Sequence, residues 1–470
     1  ITVVADVTPT ERIAKLKEAK NSDFVLFTYG PLARGMEDVI EWEIEEINRA
    51  IFFDEGGKLR NKQTKMYESA WKVLGNDLET PREYAQILDA TPYPNDVLVE
   101  SHNLIDLLFP NQLGPLRARK KKFVEYEETT THRAGEDRKV RTYSLKNLGE
   151  MRRETEPFIF VKNDTDADVD AQLPPGKLER IKYFTMGPIQ SIYYQHAVDM
   201  TLDAIIDFMN PENENFHNSK FILAALIRQQ QAAITPWLFD KSYAVSKDGD
   251  EERLDLALDI IESWLNKDTE RGKSRGIIVG AGFTSVYGKF KPMIIERFGL
   301  KEDQVPVFTG KLNLKQRAHI EEGLNSGYMR IGLFGYKAGG TGLNLQRRCN
   351  RVLNLHEMWN PSVVDQFVGR VNRQGQKRRV IVFTLRAEGT IDEGIADKVE
   401  RKLHEAKEML DSSKMEVKRG KMSLEDLIKM AGIPSDMIIS RLRERGLPID
   451  RIEAPEIEED DPNLEGGYED

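Results

Sequence analysis

A single cysteine, Cys349, stands among 470 residues, so the chain forms no internal disulfide and fits a reducing compartment. The seven histidines are scattered, with no HExxH and no Cys/His pair at zinc spacing, which argues against a structural zinc. No apolar run approaches the roughly 20 residues needed to span a bilayer. The opening ITVVADVTPTER has neither a basic stretch nor a long apolar one, so it is not a secretory signal. It lacks a Met and begins in strand-like residues, and it reads as a fragment or a trimmed start. The phosphate-loop pattern G-x-x-x-x-G-K-[ST] does not occur. A partial match, Gly272-Lys273-Ser274, has Lys267 where the first glycine belongs. It also follows a helical pattern and precedes a strand, the reverse of the order such a loop needs.

What is present is a soluble globular composition, with 31% charged residues and negative mean hydropathy, over a length suited to roughly three domains. The net charge of −10 looks wrong for a nucleic-acid binder. The last 20 residues hold nine acids and one Arg, a net of −8, which leaves −2 for the other 450. Basic runs lie within those 450: Arg117, Arg119, Lys120, Lys121 and Lys122, then Arg370, Arg373, Lys377, Arg378 and Arg379. Local charge decides phosphate binding. For the first run, solvated surface is an equal alternative.

In chain order, residues 1–108 alternate short apolar runs with helical patterns. TVVAD, DFVLFTY, AIFFDE and YAQILDAT read as buried parallel strands. AIFFDE ends in Asp54-Glu55, two carboxylates at the end of a strand where open α/β sheets bind ligands. Such a pair holds Mg²⁺ with one carboxylate and polarises water with the other. Residues 109–245 read as a largely helical insertion, with the strand-like KLERIKYFTM returning to the first sheet. Its Tyr193 and Tyr194 suit packing better than base stacking. Residues 246–400 resume the α/β rhythm through GIIVGAGF, QVPVFTG, MRIGLFG, RVLNLH and RVIVFTLR. Residues 401–452 form a helical tail, with Ser423 and Ser435 as caps. Residues 453–470 are an acidic end, expected to be disordered.

The stretch from Tyr336 to Gln376 organises the rest. Asn360 caps a helix and Pro361 suits its first position. Val364, Phe367, Val368 and Val371 recur at i, i+3, i+4 and i+7, one apolar face. Gln366, Arg370 and Arg373 recur at i, i+4 and i+7 on the opposite face, and Gly375 ends the pattern. The spacing predicts a buried helix that presents an amide and two guanidiniums together. Arginine's fixed fork suits phosphate oxygens.

These residues carry a resemblance. The chain resembles the Swi/Snf family of DNA-dependent ATPases among the superfamily-two helicase-like proteins, over about residues 1 to 405. Asp54-Glu55-Gly56 resembles its DEGH or DEAH motif, followed by Lys58, Arg60 and Asn61. Asp89-Ala90-Thr91-Pro92 resembles SGTP, and LLFP with Gly114 resembles the LFP-x-x-LG after it. Gly310 with Gln316-Arg317, Lys337 to Leu345, Trp359-Asn360-Pro361, Gln366 through Gln376 and Gly389 to Glu393 are similar, in order and spacing, to the family's second-lobe motifs. Gly57 departs from the usual histidine, and Asn372 from the histidine usual before Arg373. Val161-Lys162 stands where two arginines are frequent.

The resemblance implies two RecA-like parallel-sheet lobes, with the helical insertion between them and the helical, acidic tail after them. The lobe of residues 1–108 would be partial, its phosphate loop lying upstream of Ile1. ATP and Mg²⁺ are the implied cofactors. Asp54 would hold the metal and Glu55 would orient and deprotonate the attacking water. Arg370 and Arg373 would reach the γ-phosphate, with Gln366 beside them. Thr91, Gly340, Thr341, Gly342 and Asn344 fall in nucleotide-site motifs. Lys58, Arg60, Lys311, Lys337 and Trp359 are the implied duplex contacts, with Trp359 equally suited to a buried anchor. Double-stranded DNA is the expected partner, alongside other replication or repair proteins. The expected compartment is the cytoplasm of a bacterium or phage-infected cell, or the nucleus of a eukaryote. A catalytically dead DNA-binding scaffold and an RNA helicase are the alternatives. Residues 1–470 alone are expected to turn over no ATP.

Overall fold

A computed structural model describes residues 1–4, 8–36, 39, 50–77, 84–89, 97–133, 136–160, 176–210, 212–213, 219–241, 251–270, 275–340, 342–400, 417–419 and 424–447. The acidic end, Thr91, Thr341, Ser423 and the Gly272-Lys273-Ser274 decoy lie outside them. Among the described residues, no helix is long and apolar enough to cross a membrane. The chain divides into two compact units. One comprises residues 1–129, 139–161 and 413–419, and the other residues 130–138, 162–412 and 420–470.

The first unit is α/β. β1 (Thr2–Val4) pairs in parallel with β2 (Val25–Phe27), and β3 (Ile51–Asp54) with β4 (Ala85–Leu88). All four sit in the apolar runs expected to be strands. The first helix, Pro9–Ala19, starts at a reciprocal cap: the Thr8 hydroxyl accepts from Glu11 N, and the Glu11 carboxylate accepts from Thr8 N at 2.9 Å. A core of Phe53, Leu59, Tyr67, Ala70, Leu74, Leu104 and Leu107 lies beneath β3 and β4. β5 (Val124–Arg133), β6 (Glu136–Leu145) and the late strand Val417–Arg419 make a separate three-stranded sheet. The helix Leu116–Phe123 carries the first basic run. Within it Arg119 is buried 3.6 Å from Glu154 Oε2, and Lys122 Nζ lies 2.8 Å from Glu150 Oε1. Arg117, Lys120 and Lys121 are exposed. The run is thus partly internal ion pairing rather than a continuous basic surface.

The second unit is built on a six-stranded sheet of β7 (Lys177–Phe184), β8 (Gly276–Ala281), β9 (Val307–Phe308), β10 (Ile331–Gly335), β11 (Cys349–Asn354) and β12 (Val380–Ala387). Its order is β7-β12-β11-β8-β10-β9, and every pair is parallel. β8, β10 and β11 are buried at every residue, as continuous apolar runs require in a sheet covered on both faces. Ile277, Val279 and Ala281 face a core shared with Leu254, Ile261, Trp264, Phe290 and Ile294. Ile278, Phe334, Val352 and Val382 face the opposite core, with Ile320, Leu324, Phe367 and Val371. A third core joins the helices Pro188–Met209, Ser219–Ile234, Leu424–Met430 and Ser435–Glu444. Tyr194 is buried there, as a packing residue. Pro434 precedes the last helix as its cap, and Ser435 is its first turn rather than the cap expected.

A further expectation is corrected. The strand in KLERIKYFTM does not return to the first sheet. It is β7, in register with β12 from Lys177↔Val380 to Phe184↔Ala387 in the second unit. Its charge pattern has a physical reason: β7 is an edge strand, where Lys177, Glu179, Arg180 and Lys182 discourage further pairing. The span 109–245 is accordingly divided between the two units.

Candidate functional site

In the first unit, β3 carries Asp54 to its carboxyl end, opposite Leu88 of β4. The Asp54 side chain is exposed. Glu55 then takes a left-handed backbone, φ 52° and ψ 44°. For an L-residue with a side chain that costs about 1–2 kcal/mol, so its surroundings must hold it. Three contacts do so. The Tyr29 hydroxyl donates to the Asp54 carbonyl at 2.9 Å. Gly57 N donates to Asp89 Oδ2 at 2.7 Å. Gly56 packs on Ile87 so closely that a Cβ would sit 2.5 Å from its Cγ2. The Tyr29 phenol is pushed well above its usual pKa, first by burial and then by the negative charges of Asp54, Asp89 and Glu55.

Lys58 and Arg60 follow on the same turn and differ in setting. Lys58 is exposed, with Nζ 3.7 Å from Glu55 Oε2 and 5.1 Å from the Tyr29 ring centre. Arg60 lies 3.2 Å from the buried carboxylate of Glu100, and its carbonyl accepts from Asn103 Nδ2 at 2.9 Å. Its guanidinium is therefore committed to the fold.

The donor set fits Mg²⁺. Among the described residues, no three His, Cys, Asp or Glu side chains gather as a metal cage. Magnesium needs only one or two carboxylates when substrate phosphates and water complete its shell. Asp54 offers an exposed hard oxygen of that kind.

In the second unit, β10 leads into the short helix Tyr336–Gly339, with Gly340 and then residues 342–345 following it. The three glycines there do different things. A Cβ on Gly339 would lie 3.1 Å from Phe334 and Phe367, so that glycine permits close packing. Gly340 lies against Gln366, whose Oε1 would be 3.7 Å from an added Cβ. Gly342 adopts φ +67° with open space around it, so it serves the turn.

The helix bearing Gln366 spans Pro361–Val368, and the Asn360 side chain accepts from Ser362 N at 3.1 Å. It is shorter than its pattern predicts. Gly369 caps it, and Arg370 N and Val371 N then donate three residues back, to Phe367 O and Val368 O. Arg370 and Arg373 therefore leave from turns, not from the polar face of a helix. The expected grouping survives by another route. Arg370 Nη2 donates to Gly340 O, and Leu345 N donates to Arg370 O at 3.1 Å. Arg373 Nη1 donates to Asn344 Oδ1 at 2.7 Å. Asn344 is held in turn, its N–H on Glu321 Oε1 at 3.2 Å and its carbonyl on Asn325 Nδ2 at 2.8 Å. Gln366 and Arg370 thus meet Gly340, and Arg373 meets Asn344.

The remaining residues named from the sequence separate. Lys337 is exposed on its short helix. Lys311 is exposed just before the helix Leu314–Ser326, which a reciprocal Asn313–Gln316 cap begins. Trp359 is partly buried against the third core, and its indole N–H donates to Gln230 Oε1 at 3.1 Å, the setting of an anchor.

Some supporting residues were not legible as such. Asp392, within the Gly389–Glu393 motif, is fully buried in an ion pair with Arg253, which is also 0% exposed. His356 is buried beside Trp359's partner: its Nε2 accepts from Gly282 N at 2.9 Å, and burial pushes its pKa down to about 4. Tyr29 had one faint signal, an aromatic just past a parallel strand.

Residues 2–238 match the SNF2-related domain, and residues 270–375 match the helicase conserved C-terminal domain. The putative ATP-dependent helicase/translocase YwqA of Bacillus subtilis is 24% identical over 415 residues, which cover 88% of this chain and 40% of that protein. A DNA repair and recombination protein, RAD54-like, of Gallus gallus is 24% identical over 375 residues, covering 73% of this chain and 46% of that protein. The chain thus spans less than half the length of these two curated relatives. The Sulfolobus solfataricus SWI2/SNF2 ATPase core in complex with dsDNA aligns over 93% of this chain and 84% of its own, with 22% identity and a TM-score of 0.41. With half of its residues matched by the family's first domain and the helicase C-terminal domain following in order, the chain belongs to the SNF2-related family of helicase-like proteins.

Proposed function

We propose that the protein is an ATP-driven motor that translocates on double-stranded DNA. The observation that carries this reading is the convergence of Gln366, Arg370 and Arg373 on the glycine turn of the second unit. Two guanidiniums on one rigid turn suit a transferring phosphoryl group, and an arginine so used is worth about 10³–10⁵ in rate. In the first unit, Asp54 would hold Mg²⁺, which supplies charge neutralisation at the phosphates. Glu55 takes the proton of the attacking water, and its fixed backbone sets the direction of that carboxylate. Gly340, Gly342 and Asn344 shape the arginine turn, with Thr341 and Thr91 contributing to nucleotide binding. Exposed Lys58, Lys311 and Lys337 are the cations best placed to track phosphates, without sequence preference and with strong salt dependence. Arg60 and Trp359 act through the fold instead.

A second reading, a DNA-binding scaffold without turnover, is favoured by one observation: Gly57 stands where the family usually has histidine. The test is steady-state ATP hydrolysis by the full-length protein with duplex DNA, single-stranded DNA and RNA. Duplex DNA is expected to stimulate turnover, and Glu55→Gln to abolish it. No stimulation, or a Glu55→Gln variant as active as the parent, would overturn the motor. RNA-only stimulation would make it an RNA helicase. Residues 1–470, which hold no G-x-x-x-x-G-K-[ST], are expected to bind ATP poorly by themselves and turn over none.

A further inference from the structure

Gly57 and Asp89 touch each other. Gly57 replaces a usual histidine, and Asp89 stands at the first position of the SGTP-like segment. The Gly57 amide donates to Asp89 Oδ2 at 2.7 Å. A Cβ on residue 57 would lie 2.6 Å from that same oxygen and 3.3 Å from Asp89 Cγ. The acceptor at 89 therefore leaves room only for a bare α-carbon at 57.

The arrangement lies two residues beyond Glu55, whose left-handed backbone has to be imposed. Tyr29 pins the residue before it, through the Asp54 carbonyl. Asp89 pins the turn after it, at Gly57 N. Between them Gly56 is wedged against Ile87, two residues before Asp89 on β4. Both act on main-chain groups, Tyr29 as a hydrogen-bond donor and Asp89 as an acceptor.

We propose that Asp89 is a positioning residue for Glu55. Its side-chain oxygen fixes the Gly56–Leu59 turn and thereby aims the Glu55 carboxylate. What matters is the acceptor atom, not the negative charge. This makes Gly57 an adapted position rather than a lost one, and it removes the main argument for a protein without turnover. The kinetic part of the inference rests on the ATPase reading above; the structural part does not.

The experiment compares Asp89→Ala, Asp89→Asn, Gly57→Ala and the Gly57→Ala/Asp89→Ala double variant in the full-length protein. Two readouts are taken: DNA-stimulated ATP hydrolysis, and amide hydrogen exchange across residues 55–59. Asp89→Ala, which has no acceptor, is expected to lower kcat by about tenfold or more with KM for ATP within about twofold, because it misaims a catalytic group without removing a binding contact. Asp89→Asn, which keeps an acceptor oxygen, is expected within about threefold of the parent. Gly57→Ala is expected to cost about tenfold alone, and less than about twofold once residue 89 is Ala, since the clash is gone. Exchange across 55–59 is expected to quicken about tenfold in Asp89→Ala and to stay near the parent rate in Asp89→Asn.

An Asp89→Asn variant as damaged as Asp89→Ala would overturn the inference, by showing that charge is required. Additive losses from Gly57→Ala and Asp89→Ala would overturn it too, as would unchanged exchange in Asp89→Ala. A parent protein with no DNA-stimulated turnover would sink the motor reading, and the exchange result would still decide the Asp89 contact.

Discussion

Replacing Asp392 tests how the second unit carries a charge at its centre. The Arg253 and Asp392 side chains are both 0% exposed. The guanidinium also donates to three carbonyls: Ala233 O from Nε at 3.2 Å and Nη2 at 3.0 Å, Leu355 O at 2.6 Å and Leu385 O at 3.3 Å. Asp392 Oδ2 accepts in addition from Ala387 N at 3.0 Å. Removing one partner of a buried pair costs about 3–5 kcal/mol. Asp392→Asn keeps an oxygen for Ala387 N, and three carbonyls still solvate the cation, so it falls near about 3 kcal/mol. Asp392→Ala also strands the Ala387 N–H and falls nearer about 5 kcal/mol. Many buried pairs can be exchanged for apolar residues at no net cost. Here Arg253→Met/Asp392→Leu would strip the donor from three carbonyls, at about 1–3 kcal/mol for each left unsatisfied, so the double variant is expected to be no more stable than Asp392→Asn. The assay is urea unfolding followed by hydrogen exchange in peptides from β8 and β11, which reports this unit alone. An Asp392→Asn variant within about 1 kcal/mol of the parent, or a double variant more stable than the parent, would refute the reasoning.

Three further outcomes are expected. Trp359→Phe loses the bond to Gln230 and part of the core packing, for about 1–2 kcal/mol of stability, while duplex affinity stays within about twofold at matched salt; a large affinity loss without destabilisation would make Trp359 a DNA contact. Gly280→Ala, whose Cβ would lie 2.3 Å from Tyr336 Cε1 and 2.7 Å from Phe367 Cε1, is expected to cost about 3 kcal/mol, against about 1–2 kcal/mol for Gly342→Ala at φ +67° in open space; thermal unfolding in the reverse order would contradict these packing assignments. His356 titrates near 4 in the folded chain and near 6.5 when unfolded, so the unfolded state takes up the proton first as pH falls. Its contribution is complete above pH 6.5 and is lost progressively towards pH 4, by up to about 3 kcal/mol; stability of the parent that stayed flat across that window, or a His356→Asn variant with the same slope, would count against it.

The parts of the fold that were legible share a physical cause. β8, β10 and β11 are covered on both faces, so their burial is written as unbroken apolar runs. β7 was visible as a strand but not as a member of the second sheet, because an edge strand's charges name no partner. The helix over Pro361–Val368 was visible from its period, but its end was not. Val371 is buried like Phe367 and Val368, and a tightened turn that steps three residues buries it as well as a continuing helix would. Arg119 looked like part of a solvated run, and only its neighbour Glu154 in space explains its burial. At Glu55 the backbone conformation could not be read, since a left-handed glutamate has no sequence signal beyond the glycines after it.

The arginine turn shows why grouping and engagement are separate properties. Sequence spacing places Gln366, Arg370 and Arg373 together by helical period, yet the structure holds the two arginines by one main-chain bond, Leu345 N to Arg370 O, and by side-chain bonds to Gly340 and Asn344. Arg373 rests on neutral acceptors, a side-chain amide and a carbonyl. A guanidinium bonds charged oxygens about twice as strongly as neutral ones. A phosphate oxygen within reach would therefore displace Asn344 Oδ1 from Arg373 without disturbing the Leu345–Arg370 main-chain bond that joins the turns. Arg373 is thus held in place by contacts weaker than those it would make with an anion. That is the condition for a group that is already positioned in the resting protein and gains interaction only when the charge arrives.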